Sequence, residues 1–236
     1  MLVDQIFSAQ PGLIPQMSGF ITNQRLWGAT TFVYHVSNYV YVHLMRDLSL
    51  TETLLAKSGM EKVMAQAGRT VKHYHSENGR FADNGFIDAV NRKDQKITFY
   101  GVGAHHQNGI IENKNKILTT GGRTLLLHGR RMWPNMIDKM FWPFAIKAVA
   151  KRLNSLQVDL TGQMPESTLH GVDIEDIPVK SYHTLLCPTY VLDARLQISG
   201  GAGPPKWEPH SQVGGYLGHS PVHAGNVALV CNPTTG

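Results

Sequence analysis

Two β-rich runs, ATTFVYHV and YVYVHLM, stand only Ser37 and Asn38 apart. That spacing constrains the fold more than any other feature, because strands joined by a two-residue polar turn pair antiparallel within one sheet. The flanking segments extend the pattern. LVDQIF, at the amino end, reads as a strand carrying one carboxylate, Asp4, among apolar neighbours. After the hairpin, Ser49-Leu50-Thr51-Glu52 fits a capping box; Leu55, Ala56, Gly59, Met60, Val63 and Met64 follow at helical spacing, with Gly68 as the stop. TVKHYH reads as a fourth strand ending just before Glu77, Phe81 to Val90 as a short helix, and QKITFYGV as a fifth strand. The predicted order is β-β-β-α-β-α-β-α, an α/β arrangement.

A long helix is expected from about Asn108, loosened by Gly121-Gly122. A second is expected from about Met132, with Pro134 near its start and Pro143 kinking or interrupting it. Residues 156–182 lose periodicity, carry Pro165 and Pro178 and turn acidic, as a linker does. Beyond them the chain is rich in Gly and Pro with short β runs (TYVL, QVGGYL, VALVC), so residues 183–236 read as a small, incomplete β-rich module behind a core at 1–155.

Composition narrows the class. Charged residues make up 17% and apolar residues 42%, the balance of a globular protein. No apolar run approaches the roughly 20 residues that span a bilayer, and the start lacks the basic and apolar regions of a signal peptide, so a soluble intracellular protein is expected. Cys187 and Cys231 are too few for a disulfide framework, and the 12 histidines show no zinc-finger spacing, so no structural zinc site is expected. The charge of +5 is unevenly placed: between Asn108 and Arg152 nine basic residues face two acids, a surplus of seven, which leaves minus two for the rest. A surplus of that kind suits a polyanion partner, although a solvated helical face explains a single charge run as well.

Three acids occupy informative places: Asp4 in the first strand, Glu77 after the fourth, and Glu112 near the start of the basic helix. Paired Mg²⁺ ions need oxygen ligands from separate elements, with positions left open for water and phosphate. Taken alone, Asp4 fits a partly exposed residue in a frayed strand better, and Glu112 with Lys116 fits an ordinary i,i+4 ion pair.

HSENGRFADNGF followed by AHHQNGIIENKNKIL resembles the catalytic core of copia-type retrotransposon integrases, a branch of the retroviral-type integrases. In that family an Asp-Asn-Gly follows the fourth strand, and a Gln-Asn-Gly-x-x-Glu opens a basic helix further on. Here Gln107-Asn108-Gly109 precedes Glu112, which lies 35 residues after Glu77. MWPNMIDKMFWPFAIKAV, CPTYVL and PKWEPHSQVGGYLGHSP resemble the segments that follow the core, so the resemblance covers most of the chain. It implies an RNase H-like mixed five-stranded sheet flanked by helices, followed by the small β-rich module. It also implies a DNA nucleotidyltransferase in which Asp4, Glu77 and Glu112 bind two Mg²⁺ or Mn²⁺ ions and catalyse strand transfer of element ends into target DNA. Gln107, Asn108, Lys114, Lys116 and Arg123 would contact DNA, largely through phosphates. The resemblance further implies a homo-oligomer working in the nucleus after a cytoplasmic particle stage, cut from a Gag-Pol polyprotein whose zinc module and reverse transcriptase lie outside the chain.

Glu77 departs from the family's aspartate. The extra methylene displaces the carboxylate by ~1.5 Å, against a tolerance of about 0.5 Å for catalytic geometry, so a large loss of activity is expected. Two other outcomes stay open: a catalytically dead nucleic-acid-binding remnant, or a different RNase H-like nuclease that cleaves hybrids. Glu77-Asn78-Gly79 is echoed six residues on by Asp83-Asn84-Gly85, whose acid reads as a helix-start residue.

Overall fold

The computed structural model describes residues 1–15, 22–101, 108–156, 162–171, 182–196, 203–220, 223 and 227–233. They fall into two compact units, residues 1–124 with 139–176, and residues 125–138 with 177–236.

The first unit is built on a five-stranded sheet in the order β3-β2-β1-β4-β5. Strands β1 (Leu2–Gly12), β2 (Leu26–Tyr34) and β3 (Tyr39–Met45) form an antiparallel meander, while β4 (His73–Ser76) and β5 (Lys96–Phe99) add parallel to β1. The hairpin forms as the sequence suggests, but Tyr34 pairs with Tyr39, so its loop has four residues, not two. Asn38 closes it at φ 56°, a left-handed conformation that Asn tolerates. Between β3 and β4 runs α1 (Leu50–Gln66), capped by Ser49, whose hydroxyl accepts from the Glu52 N–H at 3.3 Å. The reciprocal half of the box is redirected: Glu52 accepts from the Arg46 N–H at 3.0 Å, and the Ser49 N–H goes to Asp47 at 2.8 Å. Gly68, at φ 67°, ends the helix.

The short helix expected over 81–90 is α2 (Asn84–Asn91), preceded by one 3-10 turn at Arg80–Ala82. Val3 and Phe32 from the sheet, Ala56, Met60 and Met64 from α1, and Phe86 and Val90 from α2 form one buried core. Gln5 shares that face of β1, donating to Thr53 of α1 at 3.2 Å. Because side chains alternate along a strand, Asp4 points to the opposite face, where α3 (Gly109–Met132) supplies a partner.

Three expectations about the later helices change. The second helix does not start near Met132: Met132 is the last residue of α3 and the next α-helix begins at Trp142, so Pro134 lies between the two helices. Gly121 and Gly122 do not break α3; a Cβ at Gly121 would meet Val149 of α4 (Trp142–Leu156) at 3.0 Å, so the glycine permits close approach of the two helices. Pro143 does not kink α4, because the helix begins at Trp142 and a proline in the first turn loses no hydrogen bond. The stretch assigned as linker contains α5 (Pro165–His170), whose Leu169 is buried in the core.

The second unit holds a three-stranded antiparallel sheet, β6 (Pro188–Leu192), β7 (Ser211–His219) and β8 (Ala228–Cys231), in the order β6-β7-β8. Among the described residues, no helix is long and apolar enough to cross a membrane.

Candidate active site

Strand register assembles the site. Leu2 lies beside His75 across the parallel β1–β4 pair, so Asp4, two residues on, falls beside Glu77. Asp4 pairs with Thr31 on β2, and Ser76 pairs with Phe99, which brings Tyr100 beside Glu77. A polar row of Thr31, Asp4, Glu77 and Tyr100 therefore crosses four strands on the face occupied by α3. It sits at the carboxyl ends of β4 and β5, where open α/β sheets bind ligands.

Asp4 is the focus of this row. Its carboxylate accepts from the Gln5 N–H at 2.8 Å and from Asn115 Nδ2 of α3 at 2.8 Å. Burial pushes its carboxyl up to about 6; the charges of Glu77 and Glu112 push the same way, against those two hydrogen bonds. The same three acids, after burial, hold the Tyr100 hydroxyl far above its ordinary value. The Thr31 hydroxyl and Asn115 Oδ1 are buried without a hydrogen-bond partner among the described residues.

The three expected acids thus lie close enough for their charges to act on Asp4. They do not converge: among the described residues no three His, Cys, Asp or Glu side chains could hold one metal ion together. The Glu77 side chain lies against the following turn, with Oε1 3.1 Å from where a Cβ on Gly79 would stand. Asp83, read from the sequence as a helix-start acid, caps α2 by accepting from the Gly85 N–H at 2.8 Å.

The residues expected on DNA divide by burial. Glu112, Lys116 and Arg123 lie on the exposed side of α3, about four and eleven residues apart along one face. Lys114 is 8% exposed and aligns with Ile111 and Leu118 on the buried side; burial lowers its pKa, so its position does not suit a phosphate contact. Asn108 is 1% exposed, and its Nδ2 donates to the Tyr100 hydroxyl at 2.9 Å, so that side chain points into the protein. Gln107, like His105 and His106, lies outside the described residues.

Sequence reasoning missed Tyr100, Thr31 and Asn115. Asn115 could have been found three residues beyond Glu112 on the same helical face. The other two become visible only once the strands are paired.

No protein-family profile and no curated protein matches the chain. Solved structures do. A chain of the simian T-cell lymphotropic virus intasome in complex with PP2A regulatory subunit B56 gamma matches with a TM-score of 0.50 and 16% identity, covering 98% of this chain and 75% of that one. The HTLV-2 integrase catalytic core domain in complex with magnesium matches at a TM-score of 0.48 and 17% identity over 72% of this chain and 94% of its own. The BIV integrase catalytic core domain matches at 0.49 and 14% over 70% and 90%. At these identities the likeness concerns fold: the chain has the mixed five-stranded sheet flanked by helices of retroviral integrase cores, the RNase H-like fold, together with a small antiparallel sheet.

Proposed function

We propose that this chain is the catalytic core of a copia-type integrase, a DNA nucleotidyltransferase that joins element ends to target DNA. The observation that carries this is the strand register that sets Asp4 beside Glu77, under an α3 whose Glu112 acts electrostatically on Asp4. The donors are all carboxylate oxygens, crowded and partly desolvated, and among the described residues no Lys or Arg pairs with Asp4. That chemistry fits a hard divalent cation such as Mg²⁺ or Mn²⁺. Asp4, Glu77 and Glu112 would hold it, with Glu77 turning away from Gly79. A bound pair of such cations would supply Lewis-acid activation of an attacking oxygen and charge stabilisation at a leaving one.

The chain's own residues supply position and charge. Asn115 orients the Asp4 carboxylate, while Lys116 and Arg123 bind donor-DNA phosphates beside Glu112. Gln107 enters as a DNA contact on the motif alone. Working on two DNA ends, the protein acts as a homo-oligomer in the nucleus, released from a polyprotein. The placement of Glu77 against the turn at Gly79 favours a second reading, a DNA-binding remnant without turnover.

Strand transfer on element-end DNA, with Mg²⁺ and with Mn²⁺, separates these. Glu77→Asp is expected to raise joining by about 10²-fold, the scale of an ångström-sized misplacement, and Glu112→Gln to abolish it. If both variants match the unaltered chain, the enzymatic reading fails. DNA binding with no joining even in Glu77→Asp identifies the remnant, and hybrid cleavage without joining identifies a nuclease.

A further inference from the structure

We propose that Tyr100 is a positioning residue for the acidic site, a clasp that fastens the end of β5 to the start of α3 and so sets Glu112 against the Asp4–Glu77 row. The inference deepens the integrase reading and rests on it.

Tyr100 is held from three sides. Its backbone N–H donates to the Ser76 carbonyl at 3.2 Å, continuing the β4–β5 register past the last strand residue. Its ring meets the His75 ring edge-on, with centroids 5.7 Å apart and planes at 60°. Its hydroxyl oxygen accepts from Asn108 Nδ2 at 2.9 Å.

The last contact transmits position. Asn108 immediately precedes the first residue of α3, and Glu112 lies four residues further, about one turn or ~6 Å along the helix. Asn108 Oδ1 is buried without a partner among the described residues, so the Tyr100 hydroxyl is the one hydrogen bond its side-chain amide makes there. Removing the hydroxyl leaves both ends of a buried amide unpaired, which frees the first turn of α3 to shift. The acceptor role on the Asn108 side also directs the hydroxyl's own hydrogen elsewhere, and the charges acting on it are those of Glu77, Asp4 and Glu112. Tyr100 thus touches the frame of the site from the strand side and the helix side together.

The test is calorimetric titration of Mn²⁺ into the full chain and into Tyr100→Phe, Asn108→Ala, the double variant and Glu112→Gln. Tyr100→Phe keeps the ring and its His75 contact and is expected to weaken Mn²⁺ binding roughly 10-fold, as loss of an orienting partner does. Because Tyr100 acts through Asn108, the double variant is expected to bind no more weakly than the weaker single variant. A residue that merely supported the fold would leave ion affinity unchanged. Unchanged affinity in Tyr100→Phe, or losses that add in the double variant, overturns the proposal while Glu112→Gln still abolishes binding. No saturable binding by the unaltered chain, or binding indifferent to Glu112→Gln, overturns the integrase reading and the clasp with it.

Discussion

Glu61 and Asp4 are acids of opposite electrostatic character in one sheet unit. Glu61 Oε1 receives Lys57 Nζ at 2.7 Å, the Tyr74 hydroxyl at 2.8 Å and Gln95 Nε2 at 2.7 Å, and its Oε2 receives Lys93 Nζ at 2.6 Å. Burial disfavours its charge, but these four donors outweigh it and hold the carboxyl at about 2. A folded pKa below the unfolded 4.5 means that the stabilisation is complete above that value and is lost as pH falls toward 2. Glu61→Gln is therefore expected to lower stability at pH 7 by roughly 2–4 kcal/mol, since it leaves buried Lys57 without its counter-charge, and to flatten the acid limb of a urea-denaturation series between pH 5 and pH 2. An acid limb unchanged by the substitution would remove Glu61 as its source. Asp4 has the reverse sign. With its folded value raised from 3.8 to about 6, its contribution is complete below the former and is lost as pH rises through the latter, so at neutral pH its charge costs stability. Glu61 is thus placed as a structural carboxylate, whereas Asp4 carries an electrostatic cost that its proposed role as a cation ligand would offset.

At the scale of elements, the contacts of α4 decide how α3 and the sheet edge are finished. Asn154 donates to the Val40 carbonyl and accepts from its N–H, both at 2.8 Å, and Lys147 donates to the Val42 carbonyl, so the open edge of β3 is covered by side chains of α4. The paired glycines of α3 differ by a few tenths of an ångström of room. A Cβ at Gly122 meets Ile146 and Ala145 at 3.6 and 3.7 Å, ordinary contact, whereas at Gly121 it meets two Val149 methyls at 3.0 and 3.2 Å. Gly122→Ala is expected to gain about 0.5–1 kcal/mol from helix propensity, and Gly121→Ala to gain nothing or lose, because Val149 has to move. Thermal melts of the two variants check the order; equal gains would remove the close-packing role of Gly121. This asymmetry marks where the sequence stops being legible. The Ser49 cap, the Gly68 stop and the hairpin are written in residues a few positions apart and could be read directly. The meaning of Gly121 depends on Val149, and the meaning of Pro143 on where α4 begins, and neither is local. The early β-β-β-α-β order was legible because each element carries its own signals, while strand lengths and the four-residue loop came from pairing.

For the whole molecule, the same distinction governs the site. Asp4 and Asn115 are 111 residues apart in sequence yet share a hydrogen bond, and Tyr100 joins the row only through the β4–β5 register. A motif could point to three acids; it could not show that Glu77 lies against the turn at Gly79, or that Lys114 and Asn108 face inward. Burial also redistributes the basic surplus: of the three α3 cations proposed for DNA, Lys116 and Arg123 are exposed and Lys114 is buried. Counterion release turns that placement into a measurement, because each phosphate neutralised contributes about 0.9 to the slope of log affinity against log salt on duplex DNA. Lys116→Ala and Arg123→Ala are each expected to weaken binding to duplex DNA of any sequence and to reduce the slope by roughly 1. Lys114→Met, which keeps a long apolar stem on the buried face, is expected to leave the slope unaltered. Fluorescence anisotropy across a salt series reads all three. A slope reduced by Lys114→Met and untouched by the other two would place the phosphate track on a different surface, and with it the claim that α3 carries DNA past Glu112.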